Sequence, residues 1–198
     1  MTTQCNRQKF LFQACGRRKV EARFDGGTMT SDGGGLLLRE VERNTRIVAQ
    51  FAECFTDFRD PDLIEHTVQE LVAQRVYGLA LGYEDLIDHD ELRADPMLAV
   101  LVGKTDPRGE NRRRRRDRGK PLAGKSTLNR LELTSNQVAS DERYKKIRID
   151  PEAVDRFFID ACGAVKPLSA TCASDAAVTL RSHSFERFTA TRSSLACP

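Results

Sequence analysis

Several familiar signals are missing from this chain of 198 residues. Its six cysteines (Cys5, Cys15, Cys54, Cys162, Cys172 and Cys197) form no C-x-x-C pair, and none has a histidine at ligand spacing, which argues against a zinc site. No basic start leads into an apolar h-region, and no apolar run approaches the roughly 20 residues that cross a bilayer. The expectation is a cytoplasmic chain with reduced thiols and no membrane partner. There are no internal repeats. The run Gly33-Gly34-Gly35 completes no dinucleotide fingerprint, so a flexible strand-to-helix turn is a better reading than an anion cradle.

Charge is what the chain does have, and it is unevenly spread. The apolar fraction is 39%, the charged fraction 31% and the net charge only +3. A core can be buried, but much of the chain must meet water or a charged partner. Acids crowd residues 84 to 95 and arginines crowd 112 to 118. Such asymmetry points toward a polyanion such as nucleic acid, and it also suits a solvated linker.

Hydrophobic spacing gives the expected elements. Apolar and charged residues alternate around Val20 to Phe24, predicting a strand before a Gly26-Gly27 turn. Ser31 or Asp32 is the expected N-cap of a helix through Leu36, Leu37, Leu38 and Val41. Asp60-Pro61 is expected to open the clearest helix, with Ile64, Val68, Leu71, Val72 and Val76 as its apolar stripe. His66 falls on that predicted helix, where a surface or hydrogen-bonded role is commoner than a base or ligand. Asp85 or Asp88 should start a helix holding Leu86, Ile87 and Leu92, and Asp95-Pro96 should end it or open another. Asp150-Pro151 repeats the device, with Val154, Phe157, Phe158 and Ala161 as the apolar face.

Two motifs invite a chemical reading. Glu84, Asp85, Asp88, Asp90, Glu91 and Asp95, with His89 among them, could be a metal site, a helix junction or an acidic surface. They lie in one short stretch without a glycine-centred calcium loop, so capping and solvation explain most of them. Gly119 to Ser126 satisfies G-x-x-x-x-G-K-[ST], but that phosphate loop needs a buried strand before it, and ENRRRRRDR cannot be one. A helix with Ser126 as cap, containing Thr127, Leu128 and Leu131, is still expected there.

The arginine block is the main binding candidate. Arg112, Arg113, Arg114, Arg115, Arg116, Arg118 and Lys120 cannot bury themselves, and each could neutralise a phosphate. Lys125 and Arg130 join them as candidate DNA-binding residues on the following helix. No aromatic residue is interleaved, so the block would supply salt-sensitive affinity rather than base stacking. An exposed linker remains the competing reading.

Three segments together carry a resemblance: FDGGTMTSDGGGLLLREVER (24 to 43), the run from Asp60 to Pro96 containing GYED and DHDELRADP, and LAGKSTLNRLE (122 to 132). In wording, order and spacing they resemble bacterial insertion-sequence transposases of the group-1 DDE family, over about residues 10 to 160. The resemblance implies cut-and-paste DNA transposition by a ribonuclease-H-like nuclease in which three carboxylates hold two divalent metals. It implies DNA, specifically insertion-element ends, as partner, together with a homo-oligomer of the chain. Mg2+ is expected for the full-length family and no cofactor in this chain.

The first catalytic aspartate of that family stands on an apolar strand that should follow the helix of residues 151 to 161. Here the chain reads CGAVKPLSATCASDAAVTLRSHS instead, and Asp175 lacks the motif's neighbours. No catalytic residue is transferred. The shift to Ser, Thr, Arg, Cys and Ala suggests truncation or a changed reading frame. The expected fold is mainly α with a short N-terminal β element (α+β), the N-terminal part of a ribonuclease-H-like DDE transposase with a disordered C-terminal tail. Its organisation would be an N-terminal region (1–103), an Arg-rich linker (104–121), a helical segment (122–161) and an aberrant tail (162–198). The alternatives are a basic nucleic-acid-binding protein without a transposase role, and a metal-dependent hydrolase using residues 84 to 95 through Asp88 and Asp90.

Overall fold

The computed structural model describes residues 9–23, 30–133 and 146–164. It opens on an antiparallel hairpin, β1 (Lys9–Cys15) and β2 (Arg18–Arg23), in which Phe12 faces Val20 and Phe10 faces Ala22. Of the two strands only β2 is foreshadowed by the alternation around Val20. Phe24, Gly26 and Gly27 lie outside the described residues.

A short 3-10 turn (Ser31–Gly34) leads into α1 (Gly35–Thr45). The cap is Thr30, whose hydroxyl accepts from the Asp32 N–H, and not Ser31 or Asp32; the extended backbone needed at a cap occurs one residue earlier. The helix expected through Leu36, Leu37, Leu38 and Val41 forms, with Leu36 buried and Leu37 and Val41 exposed. Arg46 reverses the chain in the left-handed region, and α2 (Ile47–Ala52) follows. Lacking a cap side chain of its own, α2 is capped by Glu42, whose carboxylate accepts from the Val48 and Ala49 N–H groups at 2.7 and 3.0 Å.

β3 (Phe55–Asp57) comes next, then the Asp60-Pro61 device. Asp60 does cap, accepting from Asp62 N–H, but it opens only a 3-10 turn (Pro61–Leu63) and the chain is extended again at Ile64. The long helix α3 (Val68–Ala80) starts later, at a capping box in which Thr67 and Glu70 satisfy each other's backbone N–H groups. A reciprocal pair of caps outcompetes a single aspartate. Ile64 is therefore off the helix, and so is His66, which is buried in the turn before it.

α3 is the axis of the core. It buries Leu71, Val72, Ala73, Gln74, Tyr77 and Gly78, and packs against α2, α5 (Pro96–Val102) and α6 (Lys125–Glu132). Between α3 and α5, Asp85 precedes a 3-10 turn (Leu86–Asp88) and the one-turn α4 (His89–Leu92). Asp95 caps α5 through Met97 N–H, as its sequence suggests. After the 103–124 segment and α6, β4 (Ile147–Ile149) pairs antiparallel with β3, and α7 (Pro151–Ala164) begins at Asp150, whose Oδ1 accepts from the Glu152 and Ala153 N–H groups. Phe157 of α7 stacks on Phe51 at 5.3 Å, while Phe158 and Ile159 are exposed.

The architecture is α+β, with helices dominating and two small two-stranded antiparallel sheets among the described residues. The tail expected to be disordered lies outside them. No helix of the described residues is long and apolar enough to cross a membrane. Cys15 and Cys54 are buried free thiols.

Candidate nucleic-acid interface

The arginine block is held on a shaped loop between α5 and α6. Gly103 ends α5 in the left-handed region, and the N–H of Lys104 returns to the Ala99 carbonyl at 2.9 Å. Asp106 then organises the turn: its carboxylate accepts from Asn111 N–H and its carbonyl from Gly109 N–H. The two limbs meet where Gly119 N–H donates to the Gly109 carbonyl at 3.0 Å. Gly109 has φ +64°, and a Cβ there would sit 2.7 Å from the Pro121 nitrogen, so only glycine fits the crossing. Pro121, Leu122 and Ala123 then enter the core, with Leu122 N–H donating to the Arg93 carbonyl.

The candidate residues divide by role on this loop. Arg112 departs from the expectation that the whole block is solvated. Its side chain is only 14% exposed and donates to Glu65 Oε2 at 3.0 Å. Arg113 is exposed but reaches the Asp62 carbonyl at 2.9 Å. Arg112 and Arg113 thus staple the loop to the turn before α3. Arg114, Arg115 and Arg118 are exposed with no carboxylate at ion-pair distance among the described residues, and Arg116 stands 3.8 Å from Asp117. Lys120 is half-buried. Lys125 and Arg130 are exposed on α6, apart from the loop in sequence, and Lys125 is already paired with Asp90.

His66, in the turn that the staple reaches, is buried near the charges of Arg59, Lys104 and Arg112. Arg59 donates to the His66 carbonyl at 2.9 Å and pairs with Asp57, and Lys104 pairs with Glu70 at 2.6 Å. Burial, aided by the charges of Lys104, Arg112 and Arg59, pushes the His66 imidazole down to about 3. It is neutral at physiological pH. Glu65 Oε1, Arg112 Nε and Asp106 Oδ1 are buried without a hydrogen-bond partner among the described residues. Sequence pattern alone gave no signal separating Arg112 from its four arginine neighbours.

The motif resembling a phosphate loop is built differently from one. α6 begins at Lys125 with Gly124 as its cap, so Ser126 sits inside the helix and is not the cap expected. The position at its N-terminus where an anion would sit is taken by the chain's own Asp90. Asp90 accepts from Lys125 N–H at 3.1 Å and pairs with Lys125 Nζ at 3.3 Å, which holds its carboxyl below the usual range. Pro121-Leu122-Ala123 is a buried loop, not a strand.

In the acidic stretch two of the six carboxylates are used structurally, while Asp85 and Asp88 precede short turns without capping them and Glu84, Asp85 and Glu91 face solvent. Asp90 and Asp95 cap helices, and Arg75 grips the Tyr83 and Glu84 carbonyls and the Glu132 carboxylate. His89 is fully buried, with Nδ1 3.1 Å from Gln74 Nε2, and Gln74 also bonds both backbone groups of Ala123. Burial holds the His89 imidazole below its ordinary range. A Cβ on Gly78 would come within 2.8 Å of this ring, which explains a glycine in mid-helix. Among the described residues no three His, Cys, Asp or Glu side chains converge as metal ligands would. The divalent metals of the resembling family therefore find no fitting donor set there, and no metal-dependent step is assigned to these residues.

Comparison with known proteins agrees with the resemblance. The family described as transposase DDE domain group 1 matches residues 12–166. No curated protein matches, and no solved structure matches. The match spans most of the chain and takes in most of the hairpin, α3, the arginine loop and α6, and on that extent the chain belongs to the group 1 DDE family of insertion-sequence transposases.

Proposed function

We propose that this chain is the DNA-contacting front part of an insertion-sequence transposase, gripping the phosphate backbone with the loop of residues 112–118. Family membership gives a role in transposition. The observation carrying the finer reading is the loop itself: two arginines are used to fasten it, and Arg114, Arg115 and Arg118 project from a fixed frame without acidic partners among the described residues. Cations held in place lose less entropy on meeting phosphate than cations on a floating tail. With no aromatic residue in the loop, the contact is to backbone, and recognition of element ends needs other surfaces.

The same reading places the catalytic carboxylates outside residues 1–161, in a ribonuclease-H-like part for which Mg2+ is the expected metal. In support, the composition changes after Ala161 where an apolar strand bearing Asp is expected. A change of reading frame near codon 162 would produce that shift. Reading the coding DNA in the other two frames should uncover the strand, and its absence from both would refute a frame change.

Binding is tested by fluorescence anisotropy of a labelled DNA duplex across a salt series. For the triple variant Arg114→Ala, Arg115→Ala, Arg118→Ala, the slope of log K against log salt should become shallower by up to about 2.7, three phosphates at about 0.9 each. The urea midpoint should not move, because these side chains make no hydrogen bond or ion pair among the described residues. A slope equal to that of the unaltered chain would refute the loop as the grip. Preference for element ends over random duplex at physiological salt would separate a transposase from a general nucleic-acid binder.

A further inference from the structure

The β1–β2 hairpin carries Lys9, Arg17, Arg18, Lys19 and Arg23 against a single acid, Glu21. Its pairing separates two faces. Phe12, Val20 and Ala22 lie on one and pack on the core, while Lys9, Leu11, Lys19, Glu21 and Arg23 share the other. Glu21 is flanked by Lys19 and Arg23, whose hydrogen bonds hold its carboxyl down to about 2. Glu21 is therefore ionised at every ordinary pH, and five cations against this one acid leave the ribbon net positive. Lys9 stands directly opposite Arg23, whose guanidinium is already held by Glu21. Arg17 and Arg18, at the turn, are exposed and have no partner among the described residues.

The turn does not swing free. Cys15, 3% exposed, donates its thiol to the Lys104 carbonyl at 3.0 Å, and Arg39 holds the Gln13 and Ala14 carbonyls at 2.7 and 3.2 Å. Lys104 is where the arginine-loop segment leaves α5, and its charge and that of Arg112 both reach the same buried His66. The hairpin turn is therefore fastened to the root of the loop. Arg17 and Arg18, without partners among the described residues, thus sit on a turn fastened to the root of a second cationic element, which suits one extended polyanion.

We propose that the β1–β2 hairpin is a second DNA contact, with Arg17, Arg18 and Lys9 taking phosphates of the same duplex that the arginine loop grips. The inference rests on the loop reading above and extends it to a second element. A two-stranded ribbon is narrow enough to lie along the major groove, with its charged edge on the flanking backbone. The partner is a duplex rather than a membrane surface, because the cationic face offers only Leu11 as an apolar anchor.

The test uses the full chain carrying Arg17→Ala and Arg18→Ala together, beside the loop triple variant. On a random-sequence duplex the hairpin variant should bind more weakly, with a salt slope shallower by up to about 1.8, two phosphates at about 0.9 each. Its urea midpoint should match the unaltered chain. If the loop variant loses slope and the hairpin variant loses none, the hairpin is not a contact while the loop reading stands. If the unaltered chain shows no salt-dependent duplex binding, both fall. Tighter binding to phosphatidylserine vesicles than to duplex, abolished in the hairpin variant, would also overturn the assignment.

Discussion

His66 shows how much a single residue's setting decides. Its position in the sequence suggests an ordinary helical histidine, yet it is buried in a turn among Arg59, Lys104 and Arg112 with its pKa pushed down to about 3. Unfolding restores a value near 6.5, so between those values the unfolded chain binds the extra proton. Stability is complete above about pH 6.5 and falls as pH drops below it. At pH 5 the loss is about 2 kcal/mol, from a difference of about 1.5 pH units at 1.36 kcal/mol each. His89, also held below its ordinary range by burial, acts in the same direction. Urea midpoints measured from pH 7.5 down to about 4.5 should decline, and His66→Gln should flatten the decline whatever it does to stability at pH 7.5. An unaltered slope in that variant would show that His66 is protonated in the folded chain.

At the scale of elements, most helices were legible and their starts were not always so. Asp95-Pro96 and Asp150-Pro151 open α5 and α7 as read, because nothing nearby competes. Asp60-Pro61 has the same chemistry but is followed by a stronger device, so the Thr67–Glu70 box sets the start of α3. Replacing Thr67 with alanine should therefore cost about 1 kcal/mol, whereas Asp60→Ala, which frees only a 3-10 turn, should cost less. Comparing their urea midpoints checks the order, and the reverse order would return the helix start to Asp60. The β3–β4 pair was not read, since strands of three residues separated by nearly the length of the core leave no local period. The candidate interface was legible in composition but not in division of labour. Five identical arginines say nothing about which one meets Glu65, because that acid belongs to a turn 47 residues earlier.

For the whole molecule, apolar surface that the described fold leaves uncovered is informative. On α7, Phe157 meets Phe51, but Phe158 and Ile159 remain 54% and 71% exposed. On α1, Leu37 and Val41 are likewise exposed, one turn apart on the same side of the helix. Such faces favour association. Burying what remains exposed of Phe158 and Ile159 would contribute roughly 2–4 kcal/mol per copy. Association itself costs an estimated 4–15 kcal/mol, so the α7 patch alone gives weak, concentration-dependent self-association rather than a fixed dimer. Sedimentation velocity over a concentration series should show a weight-average coefficient that rises with concentration. Phe158→Ser with Ile159→Ser should flatten it, with little change in the urea midpoint because both side chains are mostly in water already. A rise that persists in the double variant would move the contact to Leu37 and Val41. A coefficient independent of concentration in the unaltered chain would mean that neither patch drives association.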